Sequence, residues 1–141
     1  MAIAISVFNP IRFMIEKLFA SPSYNASKVL MDVAVLRQEI FASNLANLET
    51  PGYKRLQVSG DFTKVFNEAL KSGSLSKVGK LQMPSVSPDL ASPAQRKDGN
   101  NVVMQDELLA MGKNGSEYEA LVDFVSGSMR TLKVAITGRT Q

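Results

Sequence analysis

Histidine and cysteine are both missing from this chain of 141 residues. Their absence removes imidazole bases, thiolate nucleophiles, disulfides and the ordinary ligands of zinc or haem together. An enzyme built on this sequence would work with carboxylates, lysines and hydroxyls alone. The 13 acidic residues are scattered, with no pair set in the apolar surroundings that tune a general acid. The expectation is a protein that is not an enzyme and takes no cofactor or metal. Long apolar runs are also missing: none approaches the ~18 residues of a transmembrane span, and the mean hydropathy is -0.01. The opening MAIAISVFNPIRF has no basic residue ahead of its apolar stretch, so a cleaved signal peptide is not expected and any export takes another route.

The net charge is +3, but the basic residues do not gather on a face or alternate with aromatics as a nucleic-acid site requires. The nearest clusters, Lys54-Arg55 and Arg96-Lys97, stand beside turns and read as solvated loop ends. Nucleic acid is not an expected partner. A basic helical module that binds nucleic acid or serves as an adaptor is the alternative from another functional class.

What the chain does have is a long periodic stretch near its end. Met104, Leu108, Met111, Gly115, Tyr118, Val122, Val125, Met129, Leu132 and Ile136 alternate spacings of 4 and 3 without a slip. That is the seam of a helix made to lie along another helix. At about 1.5 Å per residue it predicts a rod of roughly 50 Å, too long for the core of a single small domain. One conflict lies inside it. Asn114-Gly115 is a turn dipeptide, and Ser116 with Glu119 forms a capping-box pattern. Glycine costs about 1 kcal/mol in a helix interior, whereas each buried seam side chain contributes roughly 1.5–3 kcal/mol. A covered seam therefore keeps the helix whole.

Residues 25–49 form the second long helix, with two apolar stripes. Met31, Ala34, Phe41, Leu45 and Leu48 line one side, interrupted by Gln38; Val29, Val33, Leu36 and Ile40 line the other. A helix apolar on two faces takes two neighbours. One can be the C-terminal seam, and the other implies a second subunit. Phe124, Leu109 and Val134 lie off the C-terminal seam and point the same way. Ahead of this helix, Asn9-Pro10 opens a short amphipathic segment with Phe13, Met14 and Leu18 on one side. It is either a docking segment or a flap over its own domain.

The long N-terminal helix runs into Thr50-Pro51-Gly52-Tyr53, a type II turn pattern. Just before it, Asn44 and Asn47 can bond to a neighbouring backbone. Asp61 can cap a short helix to about Lys71 carrying Phe62, Val65, Phe66 and Leu70. Residues 72–100 are rich in Ser, Gly and Pro and predict a long loop, with short strands conceivable near 78–83 and 101–104. The fold expected is mainly α: long terminal helices paired as an antiparallel, coiled-coil-like hairpin, with a short middle helix, a long irregular loop and little β. Four parts follow, an extension over 1–24, an axial helix and turn over 25–53, a middle segment over 54–100 and a C-terminal axial helix over 101–141.

The stretch Ser43-Asn44-Leu45-Ala46-Asn47-Leu48-Glu49-Thr50-Pro51-Gly52-Tyr53 resembles the N-terminal signature of the bacterial flagellar rod and hook family of axial proteins. Asp98-Gly99-Asn100-Asn101-Val102, leading into the long helix with Tyr118, is similar to its proximal-rod branch, a middle-rod member being the alternative. The resemblance implies a structural subunit of the flagellar basal body on the periplasmic side of the inner membrane. It also implies export through the flagellar type III apparatus and helical assembly into a hollow drive shaft. The partners it implies are copies of the chain itself, other rod proteins, and the inner-membrane ring with its rod-junction protein.

Overall fold

Ser21-Pro22 opens the first long helix, α1, which runs over Pro22–Ala46. Proline suits this position, because the first helical N–H has no intrahelical acceptor and φ is already set. The helix thus begins three residues ahead of residue 25, where periodicity alone placed its start. The computed structural model describes residues 21–72, 81–94 and 96–138, so the amphipathic segment expected around Phe13 lies outside the described residues.

The long C-terminal helix, here α3, spans Met104–Thr137 without a break at Asn114-Gly115. Asp106 and Glu107 in its first turn favour the positive end of the helix dipole. Gly138, at φ 64°, closes the other end by donating to the Val134 carbonyl at 2.8 Å. The turn tendency of Asn114 loses because its side chain is held elsewhere. It is buried against α1 and donates to the Ala34 carbonyl at 2.9 Å and to Gln38 Oε1 at 3.1 Å.

The helices pair antiparallel, since the contacts Asn44–Glu107, Gln38–Asn114 and Arg37–Glu117 descend α1 while climbing α3. On α1 the buried row is Ala26, Val33, Ala34, Ile40 and Asn44. It draws on both apolar stripes: Ala34 and Asn44 meet α3, whereas Ala26 packs against Ala69 and Ile40 lies beside Leu56 and Val58. On α3 only Glu107 and Asn114 are buried. Along the same register Pro22 falls opposite Met129, and the last two turns of α3 run past the start of α1.

Between the long helices, β1 (Leu56–Val58) and β2 (Val86–Pro88) pair antiparallel, with Leu56 opposite Pro88 and Val58 opposite Val86. These are not the strands expected from the sequence. Residues 81–83 and 101–103 are not strand, and 78–80 lie outside the described residues. Asparagine side chains occupy the hydrogen-bonding groups near 101–103: Val102 N–H donates to Asn100 Oδ1 at 2.8 Å instead of to a ladder. The short helix α2 spans Gly60–Lys71, ending where expected but starting one residue before Asp61, which sits within its first turn instead of capping it. Its Ala69 meets Ala26 of α1, with Phe66 and Leu81 packed alongside. Phe62 is buried and stacks on Phe66 with ring centres 6.0 Å apart, whereas Val65 is exposed. The side chain of Leu70 lies outside the described residues.

The direction in which α1 faces its partner is open to a paired test. Val33 is 1% exposed and Val35 is 48% exposed. Val33→Ala should lower the unfolding free energy by about 2 kcal/mol, and Val35→Ala should change it by less than about 0.5 kcal/mol. Urea denaturation of both variants reads the difference.

Candidate functional site

Asn44 is fully buried near the C-terminus of α1 and uses its whole amide. Its Nδ2 donates to the Leu56 carbonyl at 3.0 Å and to Glu107 Oε2 at 3.0 Å. Its Oδ1 accepts from the Leu56 N–H at 2.8 Å and from the Tyr53 hydroxyl at 3.3 Å. Toward Leu56 the side chain behaves as a peptide group would in a strand pair, so β1 is bonded to a helix on one edge and to β2 on the other. Glu107 is 0% exposed and extends the network. Arg55 Nε donates to its Oε1, and Arg55 Nη1 lies 3.5 Å from Asp89.

Asn100 performs the second fastening. At 0% exposure, its Nδ2 lies 3.1, 3.0 and 3.0 Å from the carbonyls of Asn47, Leu48 and Thr50. These carbonyls belong to the turn that follows α1, where those of Asn47 and Thr50 also accept backbone N–H groups. Arg96 reaches the Leu48 carbonyl at 3.1 Å, and Lys54 reaches the Gly99 carbonyl at 2.6 Å. Gly52 N–H donates to the Asp98 carbonyl at 2.9 Å. Asn101 bridges the remaining segments, accepting from Arg55 N–H at 2.7 Å and donating to the Asp89 carbonyl at 2.8 Å. The basic doublets that read as solvated loop ends thus place Lys54, Arg55 and Arg96 in internal hydrogen bonds.

The turn between these fastenings has the expected type. Gly52 sits at φ 72°, and Tyr53 N–H donates to the Thr50 carbonyl at 3.3 Å. Pro51 precedes it where a fixed φ is wanted, and both Pro51 and Gly52 are exposed. Asn47 is half-buried, donating back to the Ser43 carbonyl at 2.9 Å while accepting from the Thr50 hydroxyl at 3.2 Å. All six residues singled out in this motif therefore belong to one clamp, with 98–102 as its other jaw.

The seam residues are distributed differently. Met104, Leu108 and Ile136 are exposed, while Met111, Tyr118, Val122, Val125, Met129 and Leu132 are half-buried. Within the chain, the α3 row that meets α1 is instead Glu107, Asn114 and Leu121, on one flank of the apolar row and turned by about 60–80° from its centre. On α1, Val33 and Ile40 are buried and Leu36, Phe41, Leu45 and Leu48 are half-buried. Two troughs open beside the contact. One of about 520 Å³ is lined by Leu30, Ala34, Leu121 and Phe124, with the Arg37–Glu117 pair at its edge. The other, of about 310 Å³, lies on the opposite side against Val35, Gln38, Gly115 and Tyr118.

Glu107 and Asn114 were missed by sequence reasoning because polar residues inside a seam break the apolar pattern used to find it; Arg55 was read as a solvated loop end, and Asp89 lies in a loop with no pattern of its own. Asn100 and Asn101 had a signal, the Asp98–Val102 motif, although not one that told what they bond. Among the described residues no group of acidic side chains is arranged to hold a metal ion.

Asp89 carries the clamp's pH response. The Ser92 hydroxyl at 2.7 Å, the Ser92 and Ala91 N–H groups and the Arg55 charge hold its carboxyl below the ordinary value, against the opposing effect of burial. A lowered folded-state pKa adds stability above the unfolded value, and that stability is lost as pH falls through the folded one. Thermal denaturation should therefore show stability falling below about pH 4, with a shallower fall in Asp89→Asn. Asn44→Ala leaves both Leu56 backbone groups and Glu107 without this partner, and should lower the unfolding free energy by at least about 3 kcal/mol in urea denaturation.

Residues 34–54, the end of α1 and the clamp's first jaw, match the family described as flagella basal body rod protein. The flagellar basal body rod protein FlgB of Aquifex aeolicus is 30% identical over 118 residues, covering 83% of this chain and 94% of that protein. FlgB of Bacillus subtilis is 27% identical over 128 residues, covering 86% and 97%. FlgB of Escherichia coli K12 is 27% identical over 130 residues, covering 83% and 93%. These alignments run nearly end to end in the relatives and take in both jaws of the clamp, and on them the chain belongs to the FlgB family of flagellar basal body rod proteins.

Proposed function

We propose that this structural subunit of the basal body rod is built into a shaft through the sides of α1 and α3 that its own hairpin leaves uncovered. As a rod protein it associates with other rod components. The finer assignments rest on the family resemblance. The partners are copies of this chain, the inner-membrane ring and its rod-junction protein, with delivery by the flagellar type III export apparatus and a place on the periplasmic side at the base of the rod. In this reading residues 25–53 and 101–141 are the axial helices, 54–100 is the intervening segment, and 1–24 is the N-terminal extension. None of the described helices is long and apolar enough to cross a membrane.

The observation that carries the reading is apolar surface on one helix. Met104, Leu108, Leu109, Phe124 and Ile136 of α3 are between 43% and 76% exposed. They point in several directions round the helix, so a single neighbour does not cover them. Burying each contributes roughly 1.5–3 kcal/mol, enough to offset the entropy of ordering the helix ends. A contact between two different faces whose rotation does not close a ring builds a filament.

Two measurements bear on it. Circular dichroism should show lower helicity in the free chain than in assembled rods, and equal helicity would remove the ordering step. Val125→Asp should abolish incorporation into rods, because the packed seam would bury an unpaired carboxylate. Normal motility in a strain carrying it would remove Val125 from the interface.

A further inference from the structure

We infer that the trough between Val35, Gln38, Gly115 and Tyr118 receives the C-terminal third of α3 from a second copy of this chain. The inference rests on the assembly reading above and names the occupant of one of its faces. Three observations support it. The first is the trough itself, about 310 Å³, with Glu119 at its rim. A side chain at Gly115 would meet nothing within 4 Å, so the helix surface dips there and admits a knob. The trough opens onto the outward apolar row of Met111, Gly115, Tyr118 and Val122.

The second is an unanswered acceptor. Asn114 is 5% exposed and lines the trough. Its Nδ2 is committed to α1, which fixes the amide's orientation, and its Oδ1 is buried without a hydrogen-bond partner. A buried acceptor left so is a standing cost. An occupant bringing N–H or O–H donors suits this wall better than a purely apolar one.

The third is charge. From Asp106 to Asp123, α3 carries five acids against Lys113 alone; from Phe124 to Thr137 it carries Arg130 and Lys133 and no acid. Glu107 and Glu117 are paired within the chain. Among the described residues Glu119, Asp123, Arg130 and Lys133 have no ion-pair partner. One copy thus offers an apolar trough with the unpaired Glu119 at its rim, and an overhanging end that carries Lys133. Shifting a parallel second α3 by two heptads, about 21 Å, keeps the seam periodicity. It sets Met129, Leu132 and Ile136 against Gly115, Tyr118 and Val122, with Lys133 beside Glu119. The two surfaces differ, so the contact repeats head to tail.

The cysteine-free chain makes the test clean. Full-length Glu119→Cys and Lys133→Cys chains are co-expressed in a strain lacking the native protein, and basal bodies are oxidised mildly. A disulfide-linked dimer is expected, well above that from Asp106→Cys with Lys133→Cys. Charge reversal is the second arm. Glu119→Lys and Lys133→Glu should each reduce rod incorporation by about fivefold per contact, and the double variant should restore it. Cross-linking no better than the control in assembled rods overturns the inference, and so does a double variant that is not restored; either result assigns the trough to another rod component. If Val125→Asp still blocks incorporation in those cases, the assembly reading stands and only the named occupant falls.

Discussion

A single buried amide sets the geometry on which the rest depends. Asn44 holds the backbone of Leu56 through a donor and an acceptor on separate atoms, and an ionised carboxylate in its place would lack the donor. That fixes where the chain returns after the Thr50–Tyr53 turn, and so where Arg55 stands. Arg55 and Asn44 then share Glu107, which positions the first turn of α3 against the last turns of α1. Low dielectric makes such a network strong when complete and costly when one member is lost. The neighbouring Asn100 gathers the carbonyls of the turn after α1, so the closed end of the hairpin leaves few groups asking for outside partners.

The open end has the opposite character. Past Asn114, α3 buries no residue completely, and two apolar troughs flank its contact with α1. Polar residues in a helix seam fix register at some expense in stability. Here Glu107 and Asn114 do that near the clamp, while the side chains that could contribute most by burial face outward. The division suits a subunit whose fold must be defined before assembly and whose strongest association surface is used in it.

The long helices, the middle helix and the turn were legible because each rests on local rules: apolar spacing, an acid in the first turn at Asp61, and Pro-Gly at the centre of a turn. The rotation of α3 was not legible. Apolar spacing selects the row of Met104, Leu108 and Gly115, whereas the helix turns Glu107 and Asn114 inward, and only their partners 52 to 80 residues away explain that choice. The short strands were equally hidden, since Leu56–Val58 is strand through Asn44 and β2 rather than through any pattern of its own. The clamp lies between these extremes. Both jaws stood out as motifs, but their contact joins positions about 50 residues apart that no local rule connects.

Hydrogen exchange on the free chain and on assembled rods, followed residue by residue, is the most direct test of a hairpin fastened at one end and completed by its neighbours. Slow exchange in the free chain should be confined to residues 40–58 and 98–114, with the stretch from Glu117 to Thr137 protected only in rods. Uniform protection of α3 in the free chain, unchanged on assembly, would contradict the account.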